Sequence, residues 1–341
     1  MYTYFSTFIT GVNKIVDASI RQLIKDIKID LLVDGLIIYR TKYPKEKIRK
    51  IRFLNNSFVL LRKYQNLTSQ PVKYMIQQII KDHKIEAEIA PNIMHVGISF
   101  RVIAKQDNLI SLDNNLLKQL ENKISRVKQL RVNRSNPDVE FWFLVRREGF
   151  GVFGMRFTRH TDYAKILAKG ELRPELASIM CLISEPNPQD VFLDPFTGSG
   201  AIPIERTRIA PCVQVIASDN DKTIIEQLKN KVKRLNIKIA INRWDALHVT
   251  HVKDASVDKI VTDPPWGLHL GTDLNLSVFY SDMLKEFHRV LKSDGILVLL
   301  LANKELFEEI LESKKDKFNL LSKYNTLVSG QKAAIYYMKK G

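Results

Sequence analysis

A chain of 341 residues with 45% apolar residues has room for two or three domains, and no run of 18 apolar residues marks a membrane-spanning helix. The opening Met1-Tyr2-Thr3-Tyr4-Phe5-Ser6 lacks the charged and apolar regions of a signal peptide, and two cysteines, Cys181 and Cys212, cannot build a disulfide framework or a zinc site. A reducing cytoplasm is the expected compartment. The net charge of +16 is unevenly held: residues 1–170 carry 30 Lys and Arg against 15 Asp and Glu, whereas residues 171–341 carry 23 against 22. A basic module joined to a neutral one points to a polyanionic partner, nucleic acid first. The alternative is a lysine-rich surface from biased composition.

Residues 1–65 read as a small α+β unit. Tyr4 to Ile9 suits a strand, and Val12 to Ile27 places Ile15, Ile20, Leu23, Ile24 and Ile27 near one helical face. Leu36 to Arg40 forms a strand after the Asp34-Gly35 turn, and Ser57 to Leu61 another. Residues 66–155 form a second unit, with helices over Pro71–Lys81 and Leu116–Leu130, an alternating strand over His95–Ala104 and a central strand over Val139–Val145. Arginines gather around its end: Arg131, Arg134, Arg146, Arg147, Arg156 and Arg159. Arginine favours bidentate phosphate contact, so this cluster is the candidate RNA-binding surface. The competing reading is a set of solvated strand ends.

Residues 156–188 read as a linker with one helix, opened by Pro174 and stopped by Glu185-Pro186-Asn187-Pro188. From residue 189 to 341 the rhythm is strand–helix–strand. Strands cover Val191–Leu193, Val213–Ala217, Ile237–Ile241, Lys259–Thr262 and Ile296–Leu301, with helices over Ala201–Ala210, Lys222–Leu235 and Leu276–Leu291. Continuous apolar strands alternating with helices predict a parallel sheet covered on both faces, closed here by a hairpin around Ser329-Gly330.

Two motifs follow apolar strands. Asp194-Pro195-Phe196-Thr197-Gly198-Ser199-Gly200 is a glycine turn that brings backbone close to a nucleotide-like ligand. It lacks the Lys-Ser/Thr pair of a P-loop and departs from G-x-G-x-x-G, which disfavours phosphate and dinucleotide readings. Asp219 ends the second strand, placed for ribose hydroxyls; Asp245 follows the third, where it could accept a hydrogen bond from an adenine amine or simply cap a helix. Asp263-Pro264-Pro265-Trp266 fixes an acid and an aromatic on a backbone with two N–H donors removed. His248, His251, His269 and His288 share no metal-ligand spacing, and no metal is expected.

The glycine turn resembles motif I of Rossmann-type S-adenosylmethionine methyltransferases. The Asp-Pro-Pro-Trp segment resembles their motif IV in the form used on exocyclic base amines. Basic α+β modules before this domain resemble the THUMP-domain RNA methyltransferases, whose usual product is guanosine methylated at N2, most often in tRNA. The resemblance implies an α/β fold: a mostly parallel seven-stranded Rossmann-type domain preceded by ferredoxin-like (1–65) and THUMP-like (66–155) modules. It implies S-adenosyl-L-methionine as cofactor and RNA, most often tRNA, as partner, with no membrane. Cofactor recognition then falls on Asp194, Phe196, Thr197, Gly198 and Gly200, with Asp219 and Asn220 at the ribose and Asp245 and Ala246 at the adenine. The segment before motif I, Gly170 to Pro174 with Arg173, also meets cofactor in that family.

By the same resemblance motif IV would hold the target base: Asp263 would accept a hydrogen bond from the amine, assisted by the Pro264 carbonyl, with Pro265 stiffening the turn and Trp266 stacking on the ring. The base must be flipped or unpaired, and the loop Gly267–Asn275 could close over it. Many relatives carry Asn at the first position and Tyr or Phe at the fourth. Asp with Trp also occurs in adenine-N6 enzymes, so guanine N2 and adenine N6 both stay open. A non-catalytic RNA-binding protein and a nicotinamide-dependent oxidoreductase are the readings from other classes.

Overall fold

The computed structural model describes residues 1–105, 114–158, 171–267 and 275–341. Its first half contains β1 (Tyr2–Thr7), α1 (Asn13–Leu23), β2 (Lys28–Val33), β3 (Leu36–Thr41), α2 (Lys45–Ile48) and β4 (Asn56–Tyr64). There follow α3 (Pro71–Lys81), α4 (Ile85–Ile89), β5 (Ser99–Lys105), α5 (Asn114–Ser125), β6 (Arg131–Val132), β7 (Val139–Val145) and β8 (Gly151–Arg156). All eight strands make one sheet, in the order β2-β3-β1-β4-β8-β7-β5-β6. The sequence separates residues 1–65 from 66–155, but β4 pairs antiparallel with β8 and carries the sheet across that boundary. Apolar side chains support the join: Trp142 of β7 meets the edge of Phe58 of β4 at 5.6 Å.

The second half contains α6 (Pro174–Ile183), β9 (Val191–Asp194), α7 (Ala201–Ile209), β10 (Gln214–Asp219), α8 (Lys222–Leu235) and β11 (Ala240–Arg243). After these come β12 (Val257–Thr262), α9 (Leu276–Val290), β13 (Leu291–Leu301), α10 (Lys304–Glu312), β14 (Phe318–Val328) and β15 (Gln331–Lys340). The sheet runs β11-β10-β9-β12-β13-β15-β14. It is parallel from β11 to β13, and β15 is antiparallel to both neighbours. This is a Rossmann-like architecture with seven strands. The chain builds outward from β9 to β11, then returns to add β12 on the other side of β9. The reversal opens a crevice at the carboxyl ends of β9 and β12, where ligands of open α/β sheets bind.

Helix α8 shows how local sequence sets an end. The Asp221 side chain accepts hydrogen bonds from the Thr223 and Ile224 amides, and Asn236 closes the helix in the left-handed conformation. Three short elements escape the sequence pattern, β2, α2 and α4, as does α10. Strand β13 also begins at Leu291, directly after α9, and not at Ile296.

The helix expected in the linker is part of the core. Leu176, Met180 and Ile183 of α6 lie in one buried cluster with Val16 and Ile20 of α1 and with Phe192 and Val298 of the catalytic sheet. An ion pair reinforces this seam: Arg52 donates through both Nε and Nη2 to Glu205 of α7, whose side chain is 2% exposed. Arg208 meets the same carboxylate at 3.1 Å. A buried carboxylate that loses a partner keeps its desolvation cost. Arg52→Met should therefore lower unfolding free energy by about 2 kcal/mol in urea titrations.

Candidate active site

The glycine turn hangs on the ends of three strands. Asp194, last residue of β9, is buried; its Oδ1 accepts the Thr262 hydroxyl at 2.6 Å and the Phe196 amide at 3.3 Å. Thr262 ends β12, so this bond ties together the two strands that flank the crevice. Asp194 Oδ2 and the Ser218 hydroxyl are buried with no hydrogen-bond partner among the described residues. Unpaired buried polar atoms are costly, and at a crevice they mark a place for a polar ligand.

Onward, the Thr197 amide donates to the Ser218 carbonyl at 2.9 Å and the Gly198 amide to Asp219 Oδ2 at 3.1 Å. Lys231 of α8 reaches back to the Ser199 carbonyl at 2.9 Å. Both glycines have positive φ, +48° at Gly198 and +80° at Gly200, but for different ends. A Cβ on Gly200 would lie 2.2 Å from Leu228 Cδ1, so this glycine lets the turn pack on α8. A Cβ on Gly198 would meet nothing within 4 Å, so that face of the turn is open to a ligand.

Asp219 is half-buried and its other oxygen, Oδ1, accepts the Asp221 amide at 3.0 Å. The Trp244 amide donates to the Asp219 carbonyl at 3.2 Å, which brings the segment holding Asp245 and buried Ala246 beside Asp219. Asp245 itself is exposed and caps the following turn, accepting the Leu247 amide at 3.0 Å, with His248 Nδ1 at 3.5 Å. Asn220 is exposed and its carbonyl accepts from Arg243 Nε at 3.0 Å. Phe196 turns its ring toward Phe279 and Phe287 of α9, at 5.8 and 6.5 Å.

Helices α6 and α7 both run from the carboxyl edge downward, and Cys181 Sγ lies 3.5 Å from the Ile202 carbonyl at the start of α7. Cys181 is in the third turn of α6, so that helix begins roughly 10 Å above the level of Cys181 and the start of α7. Arg173 and Pro174 therefore stand at the rim, with the Arg173 side chain 52% exposed. Beside them Glu175 is buried, and its Oε1 has no partner among the described residues. The sequence singles out none of Glu175, Ser218, Thr262 or Lys231. A threonine ending β12 opposite Asp194 was the one visible signal.

Asp263 follows Thr262 on β12 and is half-buried. Its Oδ1 accepts the Trp266 indole N–H at 2.9 Å, and the same N–H lies 3.1 Å from the Leu300 carbonyl of β13. The Tyr280 hydroxyl donates to the Pro265 carbonyl at 3.0 Å, and Pro264 is buried. The indole N–H is thus directed inward. Residues 268–274, with His269, lie outside the described residues, as do Gly170 and Arg159. Among the described residues no group of three His, Cys, Asp or Glu is placed to hold a metal, and no helix is long and apolar enough to cross a membrane.

Burial pushes both carboxyls up from 3.8 to about 7. For Asp194 the Thr262 hydrogen bond opposes burial; for Asp263 the Trp266 bond opposes it and the charge of Asp194 adds to it.

The model of the RMKL-like methyltransferase domain matches residues 161–331, half of the chain. The chain belongs to that family. The mouse tRNA (guanine(6)-N(2))-methyltransferase THUMP3 is 32% identical over 184 residues, covering 50% of this chain and 36% of that protein. The tRNA (guanine(6)-N2)-methyltransferase of Thermus thermophilus is 27% identical over 219 residues, covering 62% of this chain and 65% of that protein. The chain thus spans about a third of the length of the mammalian relatives it matches. Among solved structures, TrmN from Thermus thermophilus superposes with a TM-score of 0.80 at 21% identity over 100% of both chains. SMU.472, a putative methyltransferase complexed with SAH, gives 0.72 at 13% identity over 98% of this chain and 97% of that one. These likenesses show that the methyltransferase fold and the eight-stranded half occur together elsewhere.

The described arginines expected to face RNA do not form one cluster in this chain. Arg131 and Arg134 lie near the start of β7, and Arg146 and Arg147 just past its end, roughly 20 Å away along the strand. Arg131 bonds the Gly97 carbonyl at 2.8 Å, and Arg134 pairs with Glu121 at 2.9 Å while 63% exposed. Arg146 donates to the Asp34 carbonyl; Arg147 is exposed. Arg156 is a correction to the sequence reading. Its side chain is 3% exposed, bonded to Glu140 Oε2 at 2.6 Å across the β7–β8 pair, and 5.9 Å from the Trp142 ring. It neutralises a buried carboxylate and cannot reach a phosphate.

A carboxyl raised by folding stabilises the fold below its unfolded value, near 3.8, and that contribution is lost as pH rises through about 7. Asp263→Asn should therefore melt higher than the parent at pH 8, with the gap closing at pH 5, in calorimetry without ligand.

Proposed function

We propose that this chain transfers a methyl group from S-adenosyl-L-methionine to an exocyclic base amine of RNA, guanosine N2 in tRNA being the substrate. The observation that carries this is the Asp263-Pro264-Pro265-Trp266 turn, set on the strand next to the glycine turn and hydrogen-bonded to it through Thr262 and Asp194. The glycine turn fits the cofactor: Gly198 leaves open space, and Asp194 Oδ2 and Ser218 Oγ await a partner. Asp194, Gly198, Asp219 and the 244–246 segment would hold it, with Glu175 and Arg173 at the rim. When bound, the cofactor supplies a methyl group activated by a sulfonium.

An exocyclic amine is a poor nucleophile because its lone pair is delocalised into the ring. The Asp263 carboxylate, with the Pro264 carbonyl, accepts hydrogen bonds that favour a pyramidal nitrogen and stabilises the positive charge developing there. Two prolines and the Tyr280 bond to Pro265 keep these acceptors fixed, so little reorganisation is needed as the charge grows. The half of the chain that carries 30 basic against 15 acidic residues would bind the RNA, with residues 66–155 serving as a THUMP-like module. The names of the mouse and Thermus thermophilus relatives favour guanosine N2 over adenine N6.

Incubation with tRNA lacking base modifications, digestion and mass spectrometry should yield N2-methylguanosine; N6-methyladenosine instead would select the other amine. Asp263→Ala should lower turnover by about a thousandfold with cofactor affinity near normal. Gly198→Ala should act the other way. Its methyl enters the ligand's space, so S-adenosylhomocysteine affinity in calorimetry should fall more than tenfold, with about 1 kcal/mol of backbone strain. Retained turnover in Asp263→Ala would overturn the assignment.

A further inference from the structure

Trp266 closes the Asp-Pro-Pro-Trp turn, and its indole packs against both buried clusters of the catalytic domain. Its N–H is shared between Asp263 Oδ1 at 2.9 Å and the Leu300 carbonyl at 3.1 Å. Behind the turn, the buried Tyr280 of α9 holds the Pro265 carbonyl. The indole N–H is thus held from two elements, the turn itself and β13, while α9 holds the turn that carries the ring. A ring held this way contributes its polar edge to the carboxylate.

We propose that Trp266 is a positioning residue whose indole N–H occupies Asp263 Oδ1, leaving Oδ2 as the single acceptor for the substrate amine. This rests on the amine-methylating reading above. An ionised carboxylate has two oxygens and can rotate to use either; a side chain tied at one oxygen presents the other in one direction. The paired Asp and Trp then offer one acceptor oxygen, as the amide of Asn does. They do so without the amide's NH2, whose donors would oppose the amine.

The groups acting on Asp263 are Trp266, the Asp194 carboxyl on β9 and Tyr280 on α9. Trp266 is the member that favours the ionised form, while burial and Asp194 oppose it. Tyr280 points its proton at Pro265, so it does not compete for Oδ1.

A double-mutant cycle tests this with unmodified tRNA, comparing the parent, Trp266→Phe, Asp263→Asn and the double variant between pH 5.5 and 9. Phenylalanine keeps a stacking face and removes the N–H. Trp266→Phe should keep KM for RNA within about twofold and lower kcat by about tenfold, the scale of one lost hydrogen bond. It should also move the acid limb of kcat/KM to higher pH. In the Asp263→Asn background the same change should alter kcat less than twofold and leave no acid limb to move.

A rise in KM for RNA of equal size in both backgrounds would show a stacking platform and overturn the proposal, as would an unchanged rate and pH profile. The contact can be read without catalysis from the three indole N–H resonances of nitrogen-labelled protein. The one lost in Trp266→Phe should titrate near neutral pH in the parent and not in Asp263→Asn. The resonances of Trp142 and Trp244 report that each variant is folded. If no RNA is methylated, the functional reading fails on its own, and a Trp266 resonance insensitive to pH and to Asp263→Asn removes the positioning role.

Discussion

The hydrogen bond from Thr262 to Asp194 holds the active-site crevice in register. Strands β9 and β12 are neighbours in the sheet but 68 residues apart in the chain, and each ends in a loop that would otherwise diverge at the switch point. A 2.6 Å bond between a buried hydroxyl and a buried carboxylate, far from water, fixes where both loops start. The glycine turn inherits its position from Asp194, and the Asp263 turn inherits its own from Thr262. The halves of the site proposed to face cofactor and amine are thus tied by one contact, so their separation does not depend on long loops.

The basic half of the chain is built onto this core and not hung from it. Helix α1 packs on α6, and Arg52 grips Glu205 in α7, the helix that begins at Gly200. Because β4 pairs with β8, the strands of residues 1–65 and 66–155 move as one sheet. A polyanion bound there stands at a defined distance from the helix that carries the glycine turn. For an enzyme that must present one amine to one acceptor oxygen, such a fixed offset replaces part of the positioning that a mobile linker would lose. Charge asymmetry read from the sequence thus becomes a geometric statement.

Much of the catalytic domain was legible because its strands are continuous apolar runs and its helices have one apolar face. Lys222–Leu235 and Pro71–Lys81 emerge with the bounds their periodicity predicts. Strand β2, Lys28–Val33, did not, since it is a sheet edge whose residues are at most half-buried and whose one apolar run, Leu31–Val33, is only three residues long. The two motifs were legible as motifs, yet the sequence does not say which way a side chain points. Arg156 looked like its exposed neighbours until the β7–β8 register set it opposite Glu140. That pairing needs only hairpin geometry, and counting back from the turn at Gly149 would have found it. The inward indole of Trp266 depends on the Leu300 carbonyl, 34 residues away, and no local pattern encodes it.

The placement of two carboxyls explains why the crevice suits a cation. Asp194 and Asp263 are both pushed up to about 7, chiefly by burial, with the charge of Asp219 adding at Asp194 and that of Asp194 adding at Asp263. Removing Asp194 would relieve Asp263, so the juxtaposition is a standing cost in the free protein. A positively charged ligand reverses that balance, since it favours both ionised forms at once and strengthens as water is excluded. A sulfonium bearing an amino acid ammonium is such a ligand, and the same charge would leave Asp263 ionised when the amine arrives. By linkage, the free energy that raises Asp194 would become affinity for a cation that lowers it. The instability built into the end of β9 would therefore favour the positively charged cofactor proposed for this edge of the sheet.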